Sequence, residues 1–270
     1  MVYVIKASGE KEQFDKNKIY QTCFRAGASQ KNAMRIADEV EREIYEGIST
    51  QKILKIVLKK LGKVGRKESA IRYNIRDSLS KLGGEEFEKY VEHLLRAHGY
   101  TTKWNVILKG QYVEHQIDVI AERNSDRYII ECKHHFNPHR FTGLQDALGL
   151  WATFEDLKNA GHDITRAWLV SSTKLSDHAI QYGIGKRMWL TSWDYPEKNA
   201  LRSWISEKGL YPLTSLNLSP ILRAKLMLAD ILLVKELAGD NLPQISYKAR
   251  IPLKTLNQIS YQARLLLNTK

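Results

Sequence analysis

The chain has 270 residues, 43% of them hydrophobic, and 42 Lys+Arg against 30 Asp+Glu give it a formal charge of +12. That length allows one to three domains with real cores; no apolar run approaches the ~20 residues of a membrane helix, the first residues lack a signal-peptide layout, and two cysteines give neither a disulfide framework nor a zinc site. A reduced, cytoplasmic setting is therefore the expectation.

Tyr3-Val4-Ile5-Lys6 reads as a strand, Ala7 to Lys11 as a turn and Glu12-Gln13-Phe14 as a return strand. Asp15 is placed to cap a helix running through Ile19, Cys23 and Phe24. A second helix follows Ser29, with Ala33, Ile36, Ala37, Val40 and Ile44 at helical spacing. Thr50 is expected to cap a third, and a fourth runs from about Lys67 to Leu82. Gly83-Gly84 then marks a boundary.

Past the boundary, Phe87, Tyr90, Val91, Leu94 and Leu95 form one apolar helix face that ends at His98-Gly99. Thr101 to Leu108 is strand-like. Ile117 to Ile120 and Tyr128 to Lys133 are two more strands, joined by the polar turn Arg123-Asn124-Ser125-Asp126. A long helix from about Thr142 to Ala160, a strand at Ala167–Val170, a short helix at Ser176–Tyr182 and a strand at Met188–Leu190 complete the segment. The order predicts an α/β (α+β) domain, a mixed sheet with helices on its faces. The remainder reads as helical: Pro220 opens a leucine-rich helix through Leu237, and Gln244-Ile245-Ser246-Tyr247 is echoed by Gln258-Ile259-Ser260-Tyr261. That last helix pair, turning at Arg250-Ile251-Pro252, suits either helix-turn-helix DNA binding or packing on another subunit. Three domains are expected: 1–82, 83–200 and a helical segment 201–270.

Charge is uneven across these segments. Residues 1–82 carry 18 Lys+Arg and 10 Asp+Glu, residues 83–199 carry 14 and 16, and residues 200–270 carry 10 and 4. Basic flanks around a slightly acidic centre suit a polyanionic partner gripped by the flanks.

The chemistry concentrates in the hairpin. Strand alternation puts Glu131 and Lys133 on one face, and the hairpin folds Asp118 back beside Glu131. Two hard oxygen ligands at one point suit Mg²⁺ or Mn²⁺, which orients a phosphodiester and offsets its developing charge; a neighbouring ammonium stabilises the transition state. The plain alternative is a strand-end carboxylate beside a surface ion pair. His134, His135 and His139 lack further ligands at zinc spacing and suit a polar loop facing substrate. Trp151, Phe154 and Leu157 are spaced as core.

Two resemblances sharpen this reading. Val4-Ile5-Lys6-Ala7-Ser8-Gly9, then Glu12-Gln13-Phe14-Asp15-Lys16-Asn17-Lys18-Ile19 and Gly47-Ile48-Ser49-Thr50, resemble the ATP-cone, the nucleotide-sensing domain of ribonucleotide reductases. The resemblance implies binding of ATP or dATP, with Lys6 and Lys18 at the phosphates, Glu12 to Lys18 lining the site and Thr50 capping it. Ala7 departs from the usual arginine, and no G-x-x-x-x-G-K-[ST] is present, so binding without hydrolysis is expected. Gly84-x-x-Phe87-Glu88, Ile117-Asp118-Val119-Ile120 and Glu131-Cys132-Lys133 resemble the restriction-endonuclease-like PD-(D/E)xK nucleases, the Mrr-like branch above all. That implies Mg²⁺-dependent phosphodiester hydrolysis, with metal on Asp118 and Glu131, Lys133 acting on the water, Glu88 reaching in from the first helix and Gln145 as a DNA contact. Gln116 stands where some relatives of this type have a second carboxylate. The combined expectation is a nucleotide-regulated endonuclease, homo-oligomeric, acting on DNA with RNA as the lesser candidate. The alternative is a nucleotide-responsive DNA-binding regulator that does not cut.

Overall fold

The structure is a computed structural model that describes residues 2–6, 8–25, 28–64 and 75–267. It divides into two compact units, one taking in the chain up to residue 75 together with the stretch from 264, the other residues 76–263.

The first unit is built from β1 (Tyr3–Ile5), β2 (Lys11–Gln13), α1 (Lys16–Arg25), α2 (Gln30–Glu43), β3 (Ile48–Ser49) and α3 (Thr50–Val64). β1 is central, antiparallel to β2 and parallel to β3. Asp15 Oδ1 accepts the Asn17 N–H at 2.8 Å, so the expected cap forms, and Ser29 Oγ caps α2 by accepting the Asn32 N–H at 3.3 Å. Val4, Cys23, Ile36, Val40, Ile48 and Val57 make the core. The expected cap at Thr50 is corrected: Ser49 Oγ accepts the Lys52 N–H at 3.3 Å, and Thr50 is the first helical residue. Of the fourth expected helix, residues 67–74 lie outside the described residues, and α4 spans Ile75–Ser80.

The second unit holds α5 (Gly84–Ala97), β4 (Thr101–Lys109), β5 (Glu114–Arg123), β6 (Asp126–Lys133), β7 (Phe141–Thr142), α6 (Leu144–Asn159), β8 (Arg166–Ser171), β9 (Lys174–Leu175), α7 (Asp177–Gly185) and β10 (Trp189–Thr191). Its main sheet runs β10-β8-β6-β5-β4. β4, β5 and β6 pair antiparallel, while β8 and β10 join in parallel after the helical crossovers α6 and α7. Asn124 and Ser125, both at positive φ (51° and 67°), make the tight β5–β6 turn that matches strand twist. Ile120, Ile129, Leu150, Leu157, Leu169 and Leu190 are buried between sheet, α6 and α7. On α5, Gly83 caps the start and Phe87, Tyr90, Val91, Leu94 and Leu95 are buried as their spacing requires. The mixed α/β class is as expected.

The chain then continues through α8 (Leu201–Lys208), α9 (Pro220–Leu228), α10 (Leu242–Ala249) and α11 (Leu253–Leu267). Residues 201–263 belong to the sheet's unit rather than standing apart. Tyr90 Oη donates to the Leu210 carbonyl at 2.7 Å, and Thr214 Oγ1 to that of Ser78 at 2.6 Å. Helix α8 falls within the segment expected to be helical. The helix expected from Pro220 to Leu237 stops at Leu228. Asp230 takes φ 65°, and Ile231 to Leu233 run extended to a bridge with Pro212. Leucine content signalled burial there, and helix and extended chain bury leucine equally well. The Leu232 and Leu233 N–H groups find their partner in the Glu236 carboxylate, at 2.9 and 2.7 Å.

Candidate active site

The site begins with an irregularity in two strands. The β4–β5 ladder pairs Trp104 with Val119 and Val106 with Ile117, leaving Asn105 and Asp118 between them. Asn105 has φ 52°, a left-handed conformation that breaks side-chain alternation. Trp104 accordingly lies beside Glu88 and Lys89 of α5, whereas Val106 and Leu108 pack in the α6 cluster. On β5 the same slip puts both Ile117 and Ile120, three apart, in that cluster. Asp118 sits at the slip, between two buried isoleucines.

The β5–β6 ladder ends at Val119↔Ile130, and its register carried one pair further sets Asp118 opposite Glu131. Asp118 Oδ2 accepts the Cys132 N–H at 2.8 Å, substituting a side chain for the missing ladder partner. Burial pushes the Asp118 carboxyl up to about 7, and the charge of Glu131 adds to the rise. Glu88 is also raised, first by burial, then by Glu131, against a 3.4 Å hydrogen bond donated by Trp104 Nε1. Burial works against the Lys133 ammonium, yet Glu131, 2.8 Å away, holds its pKa above the ordinary value. The structure thus brings Asp118, Glu131, Lys133 and Glu88 to one end of the sheet.

A participant that the sequence did not single out is Asp146, whose Oδ1 is 3.7 Å from Lys133 Nζ. Its other oxygen accepts the Gly143 N–H at 3.0 Å and caps α6. Gly143-Leu144-Gln145-Asp146 carries the signal, an acidic residue three past a helix start. Gln145, next to it, is exposed on the first turn. Gln116 is exposed and donates to Asn105 Oδ1 at 2.8 Å. His115 Nε2 lies 2.8 Å from the buried Asp156, a structural tie within the unit. The histidine loop is also partly spent on structure. His134 Nε2 lies 3.0 Å from the Leu79 carbonyl with its ring 5.6 Å from Phe87, and His135 Nε2 is 3.0 Å from Thr142 Oγ1.

Among the described residues no three His, Cys, Asp or Glu side chains stand together as a metal cage. The Asp118–Glu131 pair still fits Mg²⁺ or Mn²⁺. Such ions keep several waters and need only one or two carboxylates beside substrate phosphates. A cation there would relieve the like-charge repulsion that raises Asp118.

In the first unit, Lys6 and Lys18 both reach Glu12. Lys6 Nζ is 3.4 Å from one oxygen, and Lys18 pairs with the other. The Lys18 hydrogen bond above all holds Glu12 below the usual carboxylate range. Asn17, Lys18, Gln21 and Thr22 line a depression of ≈ 430 Å³. Lys16 points elsewhere, 2.7 Å from both Asp38 and Glu41 on α2. Phe14 packs on the core, Asp15 is used as a cap, Gln13 is exposed on β2, and Thr50 is half-buried at the head of α3.

Comparison with known proteins falls along the same division. The restriction endonuclease family (Mrr catalytic type) matches residues 79–196, and the ATP cone domain matches residues 2–82. An uncharacterized protein of Archaeoglobus fulgidus is 39% identical over 146 residues, 54% of this chain and 82% of that protein. A second uncharacterized protein of the same organism is 48% identical over 42 residues, 16% of this chain and 89% of that protein. The crystal structure of AF1548, a protein of unknown function, matches with TM-score 0.62 and 33% identity, covering 69% of this chain and all of that one. No described helix is long and apolar enough to cross a membrane.

Proposed function

This chain belongs to the Mrr-type restriction endonucleases and carries an ATP cone ahead of the nuclease domain, and on that premise we propose that it is a metal-dependent endonuclease that hydrolyses DNA, regulated by ATP or dATP at the cone. One observation carries the reading. Asp118 is set opposite Glu131 and driven to about 7 in a half-buried place, with the Lys133 ammonium 2.8 Å from Glu131. Grouping these charges costs stability, and a site that works on phosphate is where such a cost is repaid.

Asp118 and Glu131 would hold Mg²⁺ or Mn²⁺, which supplies charge for the phosphodiester and lowers the pKa of bound water. Lys133, oriented by Glu131 and Asp146, positions the attacking water and offsets charge on the phosphate. Glu88 reaches the site from α5 and stays protonated more readily than an ordinary glutamate. In the cone, Lys6 and Lys18 meet the nucleotide phosphates, which take the place of Glu12 between them. Nucleotide acts by altering how copies of the chain associate.

The test is purified protein with plasmid, Mg²⁺ and either ATP or dATP. Cleavage that Lys133→Ala abolishes while DNA binding persists supports the reading. DNA binding with no cutting under any nucleotide or metal replaces it with the regulator, a reading favoured by the exposed amide of Gln116 beside Asp118.

A further inference from the structure

The C-terminal helices take no part in the chemistry above, and they expose a polar face of their own. α10 and α11 are joined by three residues, Arg250-Ile251-Pro252, and α9 packs on α10. The turn is fixed from several sides. Arg250 adopts φ 51°, ψ 48°, the left-handed conformation that reverses a chain sharply. Ile251 is buried, its N–H bonds the Ser246 carbonyl at 3.1 Å, and Ser246 Oγ donates to the Ile251 carbonyl at 2.7 Å. Lys225 Nζ of α9 donates to the Arg250 carbonyl at 3.2 Å. A helix, a tight left-handed turn and a second helix, backed by a third, is the helix-turn-helix arrangement.

The internal repeat explains which side faces out. In both copies the isoleucine and the alanine are buried (Ile245 and Ala249, Ile259 and Ala263) and the tyrosine is exposed. On α11 the exposed residues Lys254, Asn257, Gln258, Tyr261 and Gln262 recur at helical spacing and form one stripe. Three of the five are amides. Residues 242–267 contain four Lys or Arg and no Asp or Glu. A solvated helix face ordinarily mixes charges of both signs; one without acids repels no phosphate. A subunit contact needs an apolar centre, and here the exposed apolar side chains, Leu253, Tyr261 and Leu265, are interspersed with the amides and the lysine. Asn and Gln side chains match the donor and acceptor edge of adenine in the major groove, and lysine matches phosphate.

We propose that α9, α10 and α11 form a helix-turn-helix module that binds duplex DNA, with α11 in the major groove. Asn257, Gln258 and Tyr261 face base edges, and Lys254 faces the backbone. The module gives the chain DNA affinity that is separate from the cutting site.

The experiment uses the full chain carrying Lys133→Ala, so that cutting does not intervene, and a random-sequence duplex pool of roughly 30 bp. Anisotropy titrations over a salt series expect Lys254→Ala to weaken binding to all duplexes and to lower the salt slope by about 1. Asn257→Ala with Gln258→Ala should weaken binding about tenfold or more to duplexes enriched from the pool, and much less to the pool itself. Thermal unfolding should be unchanged in every variant, since the altered groups are exposed. Unchanged DNA affinity in these variants overturns the proposal. So does a changed sedimentation coefficient with DNA affinity intact, which would make the stripe a subunit contact. Equal, stripe-dependent binding of an RNA duplex overturns it too, because its deep, narrow groove excludes a helix. Failure of the unaltered chain to cut plasmid, with stripe-dependent DNA binding retained, counts against the nuclease reading alone.

Discussion

Both units bring carboxyls and lysines together, but in opposite balance and at different depth. In the sheet unit, Asp118, Glu131, Glu88 and Lys133 converge where water is partly excluded, and two of the three carboxyls are pushed upward. In the first unit, Glu12 lies between Lys6 and Lys18, with Lys18 exposed and the other two half-buried at the surface. The sheet's group is rich in acid and more deeply buried, the cone's rich in lysine and more open to water. Desolvation couples protonation to stability and to cation binding, whereas an exposed ion pair is worth roughly 0–1 kcal/mol and yields readily to a competing anion. The first site is therefore suited to chemistry and the second to exchange.

Substitutions sharpen that contrast. The largest effect is expected at Lys133. Lys133→Ala should lower plasmid cleavage about 10²–10³-fold, the usual cost of removing one preorganised donor, and full activity in a nicking assay would remove the ammonium from the mechanism.

Next comes Asp118. Its folded pKa, about 7, exceeds the ordinary aspartate value of 3.8. The folded state therefore prefers the protonated form, and stability present at low pH is lost as pH rises through about 7. Asp118→Asn, which can still accept the Cys132 N–H, should raise the metal-free melting temperature at about pH 8, by some 2–4 °C per kcal/mol relieved. The gain should shrink toward about pH 5, where the native carboxyl is already neutral. A gain that is the same at both pH values would mean that desolvated charge is not the cause.

A smaller effect is expected in the cone. Glu12→Gln removes the anion that Lys6 and Lys18 share, leaving Lys6 beside Glu10 alone, and should tighten ATP or dATP binding roughly fivefold, about 1 kcal/mol. Calorimetry that finds weaker binding would show Glu12 to be a ligand rather than a competitor. The smallest belongs to Lys16, paired with α2. Lys16→Ala should leave nucleotide affinity unchanged and shift melting by only ~1–2 °C.

Much of this was legible beforehand. The cap at Asp15, the helix start after Ser29, the succession of five strands and the nearness of Asp118, Glu131 and Lys133 follow from spacing, because strand and helix periods project directly onto faces. Asp146 escaped notice because its role depends on α6 starting beside the end of β6, a proximity across thirteen residues. The slip at Asn105 was equally hidden, since asparagine tolerates positive φ but the strand-like run on either side outweighs that signal. In the C-terminal segment, leucine density concealed the break after Leu228.

The order of residues alone determined most of the helices and strands of the cone and the sheet, where most begin, and that acids and a lysine recur at strand spacing. Those are local properties, set by side-chain period and capping chemistry within a few positions. Only the folded chain decided that Asp118 lies in a kink between Ile117 and Ile120, that Lys133 answers to two carboxylates, and that the face of α11 is left open to solvent. Each depends on desolvation and on neighbours distant in the chain, which appear only when the elements pack.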